Sequence, residues 1–135
     1  MFAKTLSTDI WGGPADVKED DVAAPSWEKI ESAIRALDGR RRTMVTLAAD
    51  GESHLAVGGG DSNRYVVYMT FDNMHFLNLL SRHRADKMVT LFVGGQHSQF
   101  PDNAVVDIAL ALRAAKTFAE AGQPDPSCMW SKDPE

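Results

Sequence analysis

Trp27, Ile30, Ile34 and Leu37 recur at intervals of three and four residues, the spacing that gathers apolar side chains on one face of a helix. Ser26 stands just before them, and its hydroxyl can accept a hydrogen bond from an orphan N–H of the first turn. Gly39 is placed to stop the helix in a left-handed conformation. The pattern predicts a helix over Trp27–Asp38, followed by a basic turn at Arg40, Arg41 and Arg42. From Thr43 the period changes to two. Thr43–Ala49 reads as a strand, Asp50-Gly51 as a hairpin turn, and Glu52–Val57 as the partner strand. Gly58, Gly59 and Gly60 break the pairing, and Asp61–Asn63 form a loop. Arg64–Phe71 is a third strand, apolar on both faces, as expected of a central strand covered on both sides.

Met74–Leu80 reads as a further strand after a turn at Asp72-Asn73. Ser81–Asp86 is a polar, positively charged loop that contains His83. Lys87–Val93 is a strand ended by Gly94-Gly95, which leaves Gln96-His97-Ser98 as polar residues just past it. Val105, Ile108, Leu112, Ala115 and Ala119 then return to the helical period. Asp102 or Asn103 is the expected cap, and Gly122 and Pro124 the expected stop. The tail after Gln123 is rich in Pro and Asp, but Trp130 is expected to pack under this helix and hold the tail down.

Residues 1–25 show neither period. Gly12, Gly13, Pro14 and Pro25 punctuate them, and they read as an irregular, acidic N-terminal segment. Trp11 is conspicuous there, because a large aromatic in a loop either docks on the core or binds something. The order helix, consecutive strands, helix implies an α+β fold. The expectation is an antiparallel meander of four to five strands flanked by an N-terminal and a C-terminal helix. The chain reads as a single domain over residues 1–135, with its core in 26–131.

Composition narrows the function. The chain has 135 residues, 44% hydrophobic and 24% charged, ordinary values for one globular domain. No apolar run approaches the ~20 residues that a membrane-spanning helix needs. A net charge of −5 argues against binding a phosphate backbone, which calls for a basic face, and suits a basic protein partner. Cys128 is the only cysteine, so neither an intramolecular disulfide nor a cysteine-based zinc cluster can form. The N-terminus has no apolar stretch of secretory length, and a reduced, cytoplasmic location is expected.

The candidate chemistry is sparse. Gly58-Gly59-Gly60-Asp61-Ser62 suggests a phosphate loop, but the Lys-Ser/Thr pair and following helix of a P-loop are missing. It also suggests a serine nucleophile at Ser62, yet no spacing selects a base among His54, His75, His83 and His97. The histidines form no zinc motif. Asp16, Glu19, Asp20 and Asp21 make an acidic cluster that lacks the spacing of a calcium loop. Cys128 has no basic neighbour except Lys132 and reads as an inert thiol. No catalytic, cofactor-binding or metal-binding residue is assigned, and a binding module is favoured over an enzyme. One alternative is a small-ligand-binding or hydrolytic α+β domain using the Gly58–Asn63 loop. Another is a structural homodimer formed through a sheet edge.

Several segments, taken in order, resemble a known family. Pro25-Ser26-Trp27 opens a helix ending at Leu37-Asp38-Gly39. Leu55–Gly60, Arg64–Val67, Val93-Gly94-Gly95-Gln96 and Phe100-Pro101 follow. Ala114–Gly122 closes the second helix, and Trp130 comes shortly after. This order resembles the Imm1 family of immunity proteins from bacterial polymorphic toxin systems, over roughly residues 25–131. The resemblance implies an α+β fold, no catalytic residues and no cofactor. It implies a cytoplasmic antitoxin whose partner is a cognate toxin domain, a nuclease or nucleic-acid deaminase; the acidic charge and the lack of an apolar span add the expectation of no nucleic-acid or membrane partner. Alone, the chain is expected to be a monomer or weak dimer. Acidic and aromatic loop residues are the interface candidates: Trp11, Asp16, Glu19, Asp20, Asp21, Asp61, Asp72 and Asn73.

Overall fold

A computed structural model describes residues 1–82 and 86–133; His83 and its two successors, within the expected basic loop, lie outside them. The N-terminal segment is not irregular. Thr5–Gly13 (β1) and Asp16–Ala23 (β2) form an antiparallel hairpin, turned at Pro14-Ala15 and bulged between Trp11 and Gly13. Along β1, Leu6 and Thr8 are buried on one face while Ser7 and Asp9 lie on the other. That period of two is hidden in the sequence because polar residues occupy both faces. β2 has low strand propensity, with four acidic residues in eight. Pairing with β1 overrides that propensity.

Trp27–Arg35 (α1) follows. Ser26 caps it, accepting from the Lys29 N–H at 3.2 Å, and Ile30 and Ile34 are fully buried. The helix stops three residues short of the expected Asp38. Asp38 instead collects the backbone N–H groups of Arg40, Arg41 and Arg42 at 2.9, 2.9 and 3.1 Å. Burial pushes the Asp38 carboxyl up, but these three bonds outweigh it and hold its pKa below the ordinary value.

Met44–Ala48 (β3), His54–Gly59 (β4), Tyr65–Thr70 (β5) and Phe76–Leu80 (β6) then run as the expected meander. Met88–Val93 (β7) and Gln96–Pro101 (β8) form a separate two-stranded hairpin. Gln96-His97-Ser98 therefore lies within a strand and not past the end of one. Gly94 and Gly95, with φ of 60° and 82°, make the two-residue turn, a backbone that matches the strand twist and strongly favours glycine. Ile108–Ala121 (α2) is capped by Asp107, which accepts from the Leu110 N–H at 2.9 Å. Its start is several residues later than expected, because Asp102–Ala104 form a short 3-10 turn and Val106 pairs with Tyr65. Gly122 ends it in a left-handed conformation, as anticipated.

The tail adds a last strand, Met129–Asp133 (β9), beside β6. Trp130 pairs with Leu79 and packs against the core. The main sheet thus has seven antiparallel strands in the order β2-β1-β3-β4-β5-β6-β9, against the four or five expected, and two strands precede the first helix. The fold class is α+β. Val45, Leu47, Leu55, Val57, Val67, Met69 and Leu79 join Ile30, Ile34, Ala114 and Phe118 in one core between the sheet and the helices. Each large apolar side chain buried this way contributes roughly 1.5–3 kcal/mol.

The β7–β8 hairpin crosses the opposite sheet face. A Cβ on Gly58 would lie 2.4 Å from Val93 Cγ1, so the strand needs glycine where the hairpin lands. On Gly60 a Cβ would come within 2.4 Å of the Leu37 carbonyl oxygen. The glycine run is packed against protein, with no space left there to cradle a phosphate.

Candidate partner-binding surface

The β1–β2 hairpin is held to the sheet by Asp9. Its Oδ1 accepts the backbone N–H groups of Thr43 and Met44 at 2.7 and 2.8 Å. Its Oδ2 accepts the Trp11 indole N–H at 2.8 Å and the Thr43 hydroxyl. Thr43 is fully buried and in turn accepts the Gly95 N–H at 3.2 Å. One carboxylate and one hydroxyl therefore join β1, β3 and the β7–β8 turn. Charge-assisted bonds of this kind are stronger than neutral ones.

Trp11 is oriented by this node. Its backbone N–H donates to the Arg41 carbonyl at 2.7 Å, and Arg41 Nε returns a bond to the Trp11 carbonyl at 3.3 Å. The indole lies over Gly95, where a Cβ would meet Cζ2 at 2.1 Å. Phe92 approaches the indole at 6.3 Å between ring centroids, and His97 stacks on Phe92 at 4.7 Å. Trp11 stays partly exposed and separates two grooves. One, of about 450 Å³, is lined by Trp11, Pro14, Arg40, Arg41, Phe92 and His97. The other, of about 340 Å³, is lined by Trp11, Val17, Glu19, Met44, Thr46 and Gly94. A third, of about 430 Å³, lies on the helix side of the hairpin between Asp20, Val22, Lys29 and Ser32.

The structure brings five of the eight interface candidates onto this one hairpin: Trp11, Asp16, Glu19, Asp20 and Asp21. Register places Glu19 beside Asp9 and Asp21 beside Ser7, on the Trp11 face, and Asp20 beside Thr8 on the helix face. Asp16 opens β2 opposite Gly13. All four carboxylates are exposed. Asp61 sits at the same end of the sheet, between β4 and β5, 3.5 Å from Arg64. Asp72 and Asn73 lie at the opposite end, in the β5–β6 turn. There Asp72 faces His75 Nδ1 at 2.7 Å and accepts the His75 and Met74 N–H groups at 2.8 and 2.9 Å. The His75 bonds foremost hold the Asp72 carboxyl far below its ordinary pKa.

Ser62 is exposed, with φ of 56°, and its hydroxyl donates to Asp61 Oδ1 at 3.2 Å. No histidine bonds to it among the described residues. Nor, among those residues, do three His, Cys, Asp or Glu side chains gather where they could hold a metal ion. Burial first, and then the charge of Asp125, push the Cys128 thiol above its ordinary pKa, which disfavours the reactive thiolate. No helix among the described residues is long and apolar enough to cross a membrane.

Sequence reasoning missed Asp9, Thr43, Phe92 and His97 at this surface. Asp9 shares a face of β1 with Ser7 and Trp11, an alternation that polar residues on both faces hide in the sequence. The other three are brought in by tertiary contacts alone.

The family model described as immunity protein Imm1 matches residues 18–132. The chain belongs to the Imm1 family of immunity proteins. The match covers nearly the whole chain, from within β2 to within β9. It includes Glu19, Asp20, Asp21, Asp61, Asp72 and Asn73, and leaves Trp11 and Asp16 ahead of it. A search of curated proteins finds no match. The role that membership supports for this Imm1 protein is immunity, the inhibition of a toxin.

Proposed function

We propose that this Imm1 protein binds one cognate toxin domain directly and neutralises it by covering the active site or substrate groove. Family membership over residues 18–132 carries the reading. Charge supports a toxin that acts on nucleic acid, a nuclease or a deaminase. Such a toxin presents a cationic groove to its substrate, and this chain carries a net charge of −5. Trp11 offers an orientationally fixed aromatic anchor, the residue type that dominates binding energy in interfaces. Glu19 and Asp21 on its face of the hairpin, together with Asp16, Asp20 and Asp61, act as steering charges. Asp72 and Asn73, at the far end, form the outer rim. Inhibition of this kind needs no catalysis, no cofactor and no membrane, and it operates in the cytoplasm, where the toxin's substrate lies.

Co-expression with the toxin domain encoded beside this chain tests the reading. A complex of one toxin to one immunity protein, isolated by co-purification, and restored growth are expected. A toxin domain that neither co-purifies nor loses toxicity overturns it. Ser62→Ala should protect as well as the parent. Loss of protection with toxin binding intact would assign catalysis to the loop and favour the hydrolytic alternative.

A further inference from the structure

Resting on the immunity reading, we infer that the toxin is held by strand addition: an extended, cationic segment of the toxin pairs along β2 and enlarges the sheet by one strand. β2 ends the sheet order β2-β1-β3-β4-β5-β6-β9. Its eight residues offer one unpaired edge about 26 Å long, at ~3.3 Å per residue. Such an edge is a template for another chain, since its outward N–H and C=O groups lack a ladder partner. β9, the other edge, is only five residues long.

The side chains along β2 specify the occupant. Val17, Glu19 and Asp21 share the Trp11 face, and Lys18, Asp20 and Val22 the helix face. Val17 is 47% exposed and lines the 340 Å³ groove with Trp11 and Met44. An added strand therefore meets an apolar position beside Val17 and two carboxylates at the next alternate positions. Opposite charges across strands attract and like charges repel. Read from the end beside Val17, the matching segment alternates one apolar and two cationic residues, apolar-x-cation-x-cation. Among the described residues, the side chains of Asp16, Lys18, Glu19, Asp20 and Asp21 make no hydrogen bond or ion pair, so they are available to such a partner. A second copy of this chain fits poorly, because β2 carries four carboxylates and one lysine.

The experiment uses the full chain and the catalytically inactivated toxin domain encoded beside it. Hydrogen exchange of the β2 amides is compared in the free chain and the complex, and affinity is measured for the Glu19→Lys/Asp21→Lys variant. Expected are strong slowing of exchange along β2 in the complex and at least a tenfold weaker Kd for the double variant, with an unchanged urea midpoint. A complex that forms while β2 exchange stays unchanged overturns strand addition and leaves the immunity reading standing. Slowed exchange in the chain alone, with the mass of a dimer, assigns the edge to a second copy and overturns the proposal. A toxin domain that does not bind at all removes the immunity reading, and this inference with it.

Discussion

Asp9 and Thr43 lie 34 residues apart in the chain and share two hydrogen bonds: the Asp9 carboxylate accepts both the backbone N–H and the hydroxyl of Thr43, and the same carboxylate also holds the Trp11 indole. Through this pair the exposed hairpin is fixed to a buried part of the sheet. Asp9→Ala leaves the Thr43 and Met44 N–H groups without their acceptor. Unsatisfied donors of charged hydrogen bonds cost roughly 1–3 kcal/mol, and about 2 kcal/mol of destabilisation is expected in urea melts. Trp11 fluorescence in the folded variant should shift as the indole loses its anchor. Unchanged stability and emission would show that the node does not position Trp11.

Gly58 and Val93 test how the second hairpin seats on the sheet. Gly58→Ala places a methyl 2.4 Å from Val93 Cγ1, and overpacking of this kind costs about 1–3 kcal/mol. Val93 is stiff and cannot swing away cheaply. The Gly58→Ala/Val93→Ala double variant should recover part of the loss, a coupling that a double-mutant cycle reads directly. Additive effects would mean that the two side chains do not compete for the same space.

Trp130 should be worth less than a fully buried tryptophan. It packs on the core and pairs with Leu79, yet it is only partly buried. Full truncation of a buried Trp costs about 3–5 kcal/mol; Trp130→Ala should cost about 2 kcal/mol. A urea midpoint shift worth less than about 0.5 kcal/mol would show that the Trp130 side chain adds nothing to stability.

Acid should loosen the tail through Asp125. Burial pushes its carboxyl up, but the Ser127 and Thr117 hydroxyls and the Ser127 N–H outweigh this and leave its pKa below the ordinary 3.8. A depressed folded pKa stabilises above the unfolded value, and that contribution is lost as pH falls through the folded value. Stability measured from pH 5 to pH 2 should therefore fall more steeply in the parent than in Asp125→Asn, with the divergence below about pH 4. The Asp125 carbonyl holds the Trp130 indole N–H at 3.2 Å, so Trp130 emission should change over the same range. Parallel pH profiles for the two proteins would contradict this account.

Steering by the hairpin carboxylates should appear in the association rate. Exposed charges are screened beyond ~8 Å at ~0.15 M salt, so toxin association followed by stopped flow should slow as salt rises past that point. Trp11→Ala should instead act mainly on dissociation, as loss of a packed anchor does. Rapid association that ignores salt would remove the electrostatic part of the proposed recognition.

The central strands were legible because Val, Leu, Tyr and Met recur there with short turns between them, and each turn carries its own local chemistry. Both helices were legible from apolar spacing, though not their ends. Asp38 closes the turn after α1 through three backbone bonds, and Asp107 captures the cap expected of Asp102 or Asn103. For the interface, sequence picked out Trp11 and the carboxylates of residues 16–21, but as parts of a loop. Asp61, Asp72 and Asn73 looked equivalent to them, and the structure places the last two at the other end of the sheet.

Local pattern by itself determined the α+β class, the four-strand meander β3–β6, the two amphipathic helices and the acidic balance. These depend on neighbours within a few residues, through side-chain period, capping and turn propensity. Only the tertiary structure decided that residues 5–23 form two strands, that Gln96–Pro101 pairs with β7, and that the tail closes the sheet beside β6. The reason is that each of these strands is too polar, too short or too glycine-bound to announce itself alone. A strand is stabilised by its partner across the ladder and by the face it packs against; β8 is too polar to show a strand pattern although its partner β7 lies just across the Gly94-Gly95 turn, whereas β1 and β9 take partners remote in the chain. Asp9 on Thr43, Trp11 on Gly95 and Trp130 beside Leu79 are contacts of that kind.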